Sequence, residues 1–235
     1  MVILITGASG GFGSKLTEFF IEKNHNLILQ NYSREISFEK KDNVLVASCD
    51  LTKENEIELL IEKALKKFGK IDAVIHCAGI SKNSISWKTS LENWNETLAV
   101  NLTAPFIINK LVLPTMKKNQ FGRIVHLSSV VSQTGFPGTV AYAASKAGLS
   151  GLTKTIAKEV GTNGITVNNL ALGYFNTGMI KQVPDVQIDK IISEIPQQSL
   201  GDPLAVCELI QYLFSNAGAY ITGQTIPVNG GMYAY

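Results

Sequence analysis

The sequence predicts an α/β fold, a doubly wound parallel sheet of about seven strands with helices on both faces, as one domain over residues 1–235. Three observations predict it. Short β-branched runs alternate with longer segments of helical period, which is the pattern of βαβ units. Most of the runs are apolar on both faces, as strands covered from both sides must be. A glycine-rich turn joins the first run to the first helical segment.

The elements follow in order. Strands are expected at 2–6, 26–31, 44–48, 71–77, 122–128, 164–171 and 225–228. Leu16, Phe19, Phe20 and Lys23 recur at helical spacing and define a first helix lying on the sheet. The clearest helix is 54–68, where Ile57, Leu60, Ile61, Ala64, Leu65 and Phe68 form one stripe, Glu and Lys form the other face, and Gly69 can end it. Further helices are expected at 91–118, kinked or divided by Pro105 and Pro114, and at 142–161. The stretch 173–203 is interrupted by glycines and prolines; it reads either as a substrate cover or as a surface excursion.

Composition narrows the function classes. The net charge of +2 is too small for a nucleic-acid footprint built on charge, so no DNA or RNA partner is expected. No apolar run is expected to span a membrane, and Met1 leads straight into Val2-Ile3-Leu4-Ile5 without a signal-peptide pattern, which suggests a cytoplasmic protein. Cys49, Cys77 and Cys207 are far apart and form no C-x-x-C pair, so each reads as a small buried hydrophobe. His25, His76 and His126 are scattered and make no metal site.

The turn Thr6-Gly7-Ala8-Ser9-Gly10-Gly11-Phe12-Gly13 lies where a pyrophosphate can meet a helix N-terminus. Gly7 permits the sharp turn out of the strand, Gly11 lets backbone approach phosphates, and Gly13 lets helix and sheet pack closely. Ser9, Gly10 and Phe12 complete the candidate cofactor cradle. Further along, Tyr142 and Lys146 stand at i and i+4 on one helical face. A positive charge ~6 Å from a phenol, at an effective dielectric of about 20, favours the phenolate by roughly 3 kcal/mol, which would move the tyrosine about 2 pK units toward neutrality.

The cradle spacing T-G-x-x-x-G-x-G, Tyr142-x-x-x-Lys146, and Ser129 thirteen residues before Tyr142 together resemble the short-chain dehydrogenase/reductase (SDR) family over essentially the whole chain. The resemblance implies a Rossmann-type fold and hydride transfer between NADP or NAD and a carbonyl or secondary alcohol. It implies that Ser129 hydrogen-bonds the substrate oxygen, Tyr142 transfers its proton, Lys146 also holds the nicotinamide ribose, and Asn101 steadies a water that links the lysine to solvent. Asp50, with Leu51, would meet the adenine amino group; Asp50 also suits a cap for a helix starting near Thr52. Ala78 and Gly79 would approach the adenosine ribose, in a segment where His76-Cys77 replace the asparagine pair that braces strands in the family. In Leu172-Gly173-Tyr174-Phe175-Asn176-Thr177, Gly173, the Phe175 backbone and Thr177 would flank the nicotinamide carboxamide, with Leu172 in place of a proline.

At the end of strand two the chain offers Asn31, Ser33 and Arg34 where NAD-preferring relatives carry an acid. Arg34 can hold a 2′-phosphate in bidentate fashion, so NADP is favoured over NAD, although Gly10 stands where NADP-dependent relatives often have a basic residue. The resemblance is strongest to 3-oxoacyl-carrier-protein reductases, which implies reduction of a 3-oxoacyl thioester by NADPH. The alternatives are a dehydrogenase of a small alcohol, polyol or sugar, and a non-catalytic nicotinamide sensor. Carrier-docking relatives place arginines where this chain has Asn163 and Asn119-Gln120, which weighs against carrier docking. A homotetramer or homodimer is implied, with helices 91–118 and 142–161 pairing with symmetry mates. Residues 81–90, 132–139 and 173–203 would shape the substrate pocket, with Trp87, Trp94, Phe136 and Tyr174 as either its walls or core.

Overall fold

The computed structural model describes residues 1–33, 36 and 41–233. Its elements run β1 (Val2–Thr6), α1 (Gly11–Glu22), β2 (Asn26–Asn31), β3 (Val44–Ser48), α2 (Glu54–Phe68), β4 (Ala73–His76), α3 (Leu91–Leu98), α4 (Ala104–Lys118), β5 (Gly122–Ser129), α5 (Val131–Thr134), α6 (Val140–Val160), β6 (Ile165–Leu172), α7 (Asp185–Glu194), α8 (Pro203–Phe214) and β7 (Thr225–Val228). The seven strands form one sheet in the order β3-β2-β1-β4-β5-β6-β7, and every pair is parallel.

Strand alternation sorts the core into two layers. Val2, Leu4, Ile28 and Val74 point to one face and pack with α2, α4 and α6 through Ile57, Ile108 and Ile156. Ile3, Ile5, Leu27, Leu29 and Ile75 point to the other and pack with α1 and α8 through Leu16, Phe20 and Ile210. Strands buried on both sides therefore show the continuous apolar runs seen in the sequence. The order reverses between β1 and β4, which opens a crevice outside their carboxyl ends.

Helix α2 ends as its sequence predicts, with Gly69 left-handed at φ 74° and its N–H on the Leu65 carbonyl at 2.8 Å. Its start differs: the N-cap is Lys53, so Asp50 does not cap the helix. Asp50 instead closes a short turn, its Oδ1 accepting from the Thr52 N–H at 3.0 Å and hydroxyl at 2.7 Å.

The helical run 91–118 is divided, but at a wide π turn over Ala99–Thr103 ahead of Pro105, while Pro114 stays inside α4. The reason is local. Pro105 has no N–H to give to the Asn101 carbonyl four residues back, and a widened turn accommodates that gap. Asn101 is thereby placed in an irregular turn facing the sheet, 1% exposed. The run Leu91–Lys118 is long and apolar enough to cross a membrane by length and composition, yet Ala104, Ile108, Val112 and Met116 on it belong to the core.

Candidate active site

A cleft of about 940 Å³ lies at the carboxyl ends of β1, β4, β5 and β6. Its floor begins with the β1–α1 turn. Gly7 is left-handed (φ 65°), and a Cβ there would stand 2.7 Å from the Ala78 Cα. Gly13 is packed harder still, since its Cβ would meet the Gly7 carbonyl oxygen at 2.1 Å. Gly10 is the N-cap of α1 and supplies no side chain, which leaves the first amides of the helix as donors facing the cleft end. This cradle fits a pyrophosphate: it is built of backbone at positions where any side chain would fill the space.

Of the residues expected to hold cofactor, Gly7, Ser9, Gly10, Gly11, Phe12, Ser33, Asp50, Leu51, Ala78, Gly79, Gly173, Phe175 and Thr177 line this cleft. Two do not. Gly13 lies one layer behind, pressed on Gly7 and Ala8. Asn31 turns into the protein, 7% exposed, and Gln30, Tyr32 and Ser33 line the cleft in its place; alternation along a strand sends neighbours to opposite sides. Asn101, expected among the catalytic residues rather than the cofactor contacts, also stands behind the wall. Arg34 lies outside the described residues. Gly11 needs its missing side chain for a further reason: a Cβ would fall 2.2 Å from the Gly178 nitrogen and 2.7 Å from the Thr177 Oγ1, so the segment after β6 folds onto the start of α1.

Ser129, Tyr142 and Lys146 meet at the other end of the cleft. Ser129 ends β5, accepts from the Val131 N–H at 3.2 Å, and hydrogen-bonds the Tyr142 phenol. The Lys146 Nζ lies 5.7 Å from the Tyr142 ring centre and donates to the Leu127 carbonyl at 2.6 Å. Asn101 sits beside it: Nδ2 donates to the Ile80 carbonyl and to the Ser145 Oγ, and Oδ1 accepts from the Ile80 N–H. A Cβ on Gly79 would reach the Lys146 Nζ at 3.3 Å and the Asn101 Oδ1 at 3.5 Å, so this glycine makes room for the lysine as well as for a ligand.

The expected acidification of Tyr142 by Lys146 is corrected. Burial pushes the phenol above its ordinary value, the Ser129 hydrogen bond pulls it down, and neighbouring Tyr174 adds to the rise; the net shift is upward. The lysine is itself desolvated, its pKa lowered from 10.5 to about 8. The sign of its contribution to stability follows. Between about pH 8 and 10.5 the unfolded chain holds the lysine proton and the folded chain has lost it, so stability rises with pH across that window. The thiols of buried Cys49 and Cys207 and of Cys77, which is half-buried at the cleft and not the buried hydrophobe expected, are raised to about 11 or 12 and titrate with the opposite sign. Urea unfolding of wild type and Lys146→Met should therefore diverge over pH 8 to 10.5 by about 3 kcal/mol in favour of the wild type's slope, at ~1.4 kcal/mol per pH unit.

Several cleft residues escaped the sequence reading. Gln30, a buried amide in an apolar strand, accepts from the Gly7 N–H at 2.8 Å and donates to the Asn31 and Cys49 carbonyls, tying the cradle to β2 and β3. The signal was present, because a polar residue inside such a strand must find partners. The Thr6 hydroxyl accepts from the Cys77 and Ala78 amides. Of the expected pocket walls only Tyr174 lines the cleft; Trp87 and Phe136 are exposed at 79% and 58%. Segments 81–90 and 132–139 pair with each other instead, through a Ser84–Thr139 bridge and the Ser84 N–H on the Gly138 carbonyl. Ile80, Glu96, Val100, Val131, Ile180 and Val183 shape the mouth. The histidines are also not isolated: His76 and His126 stack in the core beneath the site.

A parallel doubly wound sheet with a glycine cradle at the switch point and a Ser-Tyr-Lys group at the neighbouring strand end defines an oxidoreductase acting on a carbonyl or alcohol. The comparisons agree. A family profile described as Enoyl-(Acyl carrier protein) reductase matches residues 7–233. The chain is 37% identical to the 3-oxoacyl-[acyl-carrier-protein] reductase of Rickettsia conorii over 233 residues, covering 97% of this chain and 95% of the relative. It is 35% identical to the protein of that name from Escherichia coli over 236 residues, covering 99% and 97%. Among solved structures, the short-chain dehydrogenase/reductase titled glucose/ribitol dehydrogenase from Brucella melitensis superposes with a TM-score of 0.92 at 28% identity, covering 100% of this chain and 97% of that one. The chain belongs to the short-chain dehydrogenase/reductase family.

Proposed function

We propose that the protein reduces a 3-oxoacyl thioester with NADPH, Tyr142 protonating the oxygen that the hydride leaves negative. One observation carries the reading: Ser129, Tyr142 and Lys146 converge at one end of a single cleft whose other end is a backbone cradle for phosphate. The relatives named as 3-oxoacyl-[acyl-carrier-protein] reductases support the substrate class.

A bound dihydronicotinamide supplies the hydride. The protein's own residues do the rest. The Ser129 hydroxyl holds the carbonyl oxygen next to the phenol. The raised Tyr142 stays protonated through the neutral range, which is the state a proton donor needs, and an alkoxide forming on the substrate is basic enough to take that proton. The Lys146 ammonium, 5.7 Å from the ring centre, opposes the charge left on the phenol. Asn101 acts through its grip on Ile80, which positions the strand end around the lysine.

NADPH is preferred because no carboxylate occupies Gln30 through Arg34, where one would repel a 2′-phosphate. Assay of short 3-oxoacyl thioesters beside sugars and polyols, each with both cofactors, tests both halves. The thioester should be the turned-over class, with kcat/KM for NADPH about tenfold or more above NADH, equal to ~1.4 kcal/mol. Turnover confined to sugars or polyols would reject the substrate, and equal use of NADH would reject the cofactor preference. Assembly as a homotetramer or homodimer is supported by a groove of about 430 Å³ along α4 and α6, lined by Leu102, Phe106, Gly148, Gly151 and Leu152, with Phe106 51% exposed. Light scattering reads that state directly.

A further inference from the structure

Beneath the site, four polar side chains form a chain sealed from solvent. His76 ends β4 and His126 is its register partner in β5; Asn109 comes from α4 and Thr153 from α6. All four are at most 2% exposed. The two rings stack with centres 4.8 Å apart at 21°. His76 Nε2 lies 2.8 Å from Asn109 Oδ1, Asn109 Nδ2 lies 3.1 Å from His126 Nε2, and His126 Nδ1 lies 2.8 Å from Thr153 Oγ1.

The amide sets the direction of these bonds. Asn109 Oδ1 can only accept, so His76 Nε2 carries a proton; Asn109 Nδ2 can only donate, so His126 Nε2 is bare and its proton sits on Nδ1, given to Thr153. His126 is then neutral by its bonding, and His76, whose Nδ1 has no partner among the described residues, by the burial that disfavours its charged form. The titratable groups that face them are each other and Lys146, and a positive lysine disfavours a second cation beside it.

Both ends of the chain reach the lysine's own contacts. Leu127, whose carbonyl takes the Lys146 Nζ, follows His126 directly. Gly79, which lies against Nζ, belongs to the strand end that His76 closes. Thr153 stands on α6, the helix that carries Lys146, and Ser128 ties β5 to that helix through the Lys146 carbonyl at 2.9 Å. We propose that His76, Asn109, His126 and Thr153 are positioning residues for Lys146: their one-way hydrogen-bond chain fixes β4, β5 and α6 at the spacing that holds the ammonium between the Leu127 carbonyl and Tyr142. This deepens the functional reading and rests on it only for the lysine's catalytic use.

Thr153→Val tests it, because it removes the last acceptor while keeping the side chain's shape; Thr153→Ser restores the hydroxyl, and Thr153→Ala replaces Val if that variant does not fold. Lys146 is followed without substrate or cofactor, by its labelling with an amine-specific reagent across pH, read by mass spectrometry, and kcat and KM are measured alongside. The labelling midpoint of Thr153→Val should move by about half a pH unit or more from a wild-type value near 8, and Thr153→Ser should return it. Where the wild type turns over a carbonyl, kcat should fall about fivefold or more with KM within about twofold, the signature of an interaction that acts after substrate is bound. A folded variant with lowered melting temperature but unchanged midpoint and kcat would overturn the proposal. A wild type that reduces no carbonyl would sink the functional reading alone, since the labelling titration still decides the lysine's placement.

Discussion

Tyr142→Phe is expected to abolish turnover, by about a thousandfold or more, while leaving nicotinamide binding within about twofold. The substitution removes one oxygen. The ring keeps its packing, Lys146 keeps its bond to the Leu127 carbonyl, and the glycine cradle at the far end of the cleft is untouched. What disappears is the hydroxyl that both meets Ser129 and faces the lysine. Stopped turnover with a preserved fluorescence titration of the reduced nicotinamide cofactor separates loss of the proton donor from loss of the site. Retained turnover would show that another group, such as the neighbouring phenol of Tyr174, donates the proton.

Gly13→Ala carries the largest expected structural effect. Its added methyl would sit 2.1 Å from the Gly7 carbonyl oxygen and 2.7 Å from the Ala8 Cα, both backbone atoms of the cradle that no rotamer change can move aside. Helix α1 must shift away from β1, and overpacking of this kind costs about 1–3 kcal/mol. The displaced helix N-terminus should weaken nicotinamide-cofactor binding about tenfold or more, because the amides no longer converge on one anion. Gly161→Ala is the matched control: nothing lies within 4 Å of its would-be Cβ, so denaturation and cofactor titration should both stay close to wild type. Equal behaviour of the two variants would contradict the packing account.

How much of this was legible in the sequence depends on whether the information was local. The strands at Val2–Thr6 and Asn26–Asn31 could be read to the residue, because strands buried on both faces are apolar almost without interruption and bounded by turns, and the edge strand Val44–Ser48 because its apolar run is equally short and bounded. Helix α2 was equally plain from its stripe and Gly69. The cradle and the Tyr142–Lys146 pair are local too, each contained within a few residues of one strand end or one helix. Register was not. His76 and His126 look unrelated along the chain and meet only because β4 and β5 are neighbours with those two residues opposite. Asn31 was placed at the cofactor when its neighbours Gln30 and Tyr32 face the cleft, since a strand's alternation can be counted from sequence but its phase relative to the crevice cannot. The direction of the Tyr142 shift was missed for a similar reason: proximity to a cation could be read from spacing, whereas the depth at which both groups are buried is a property of the assembled layers.

The contact between Gly11 and the Thr177–Gly178 segment joins stretches most of the chain's length apart. One wall of the phosphate pocket is therefore supplied only once β6 has docked and its following segment has swung back across the first helix. During synthesis, a chain emerged as far as β5 already owns the cradle and the serine but lacks that wall, and it lacks the α6 residues Tyr142 and Lys146 altogether. Ligand capture is thus a late event in maturation, and a nucleotide titration of a refolding sample counts finished molecules rather than collapsed ones.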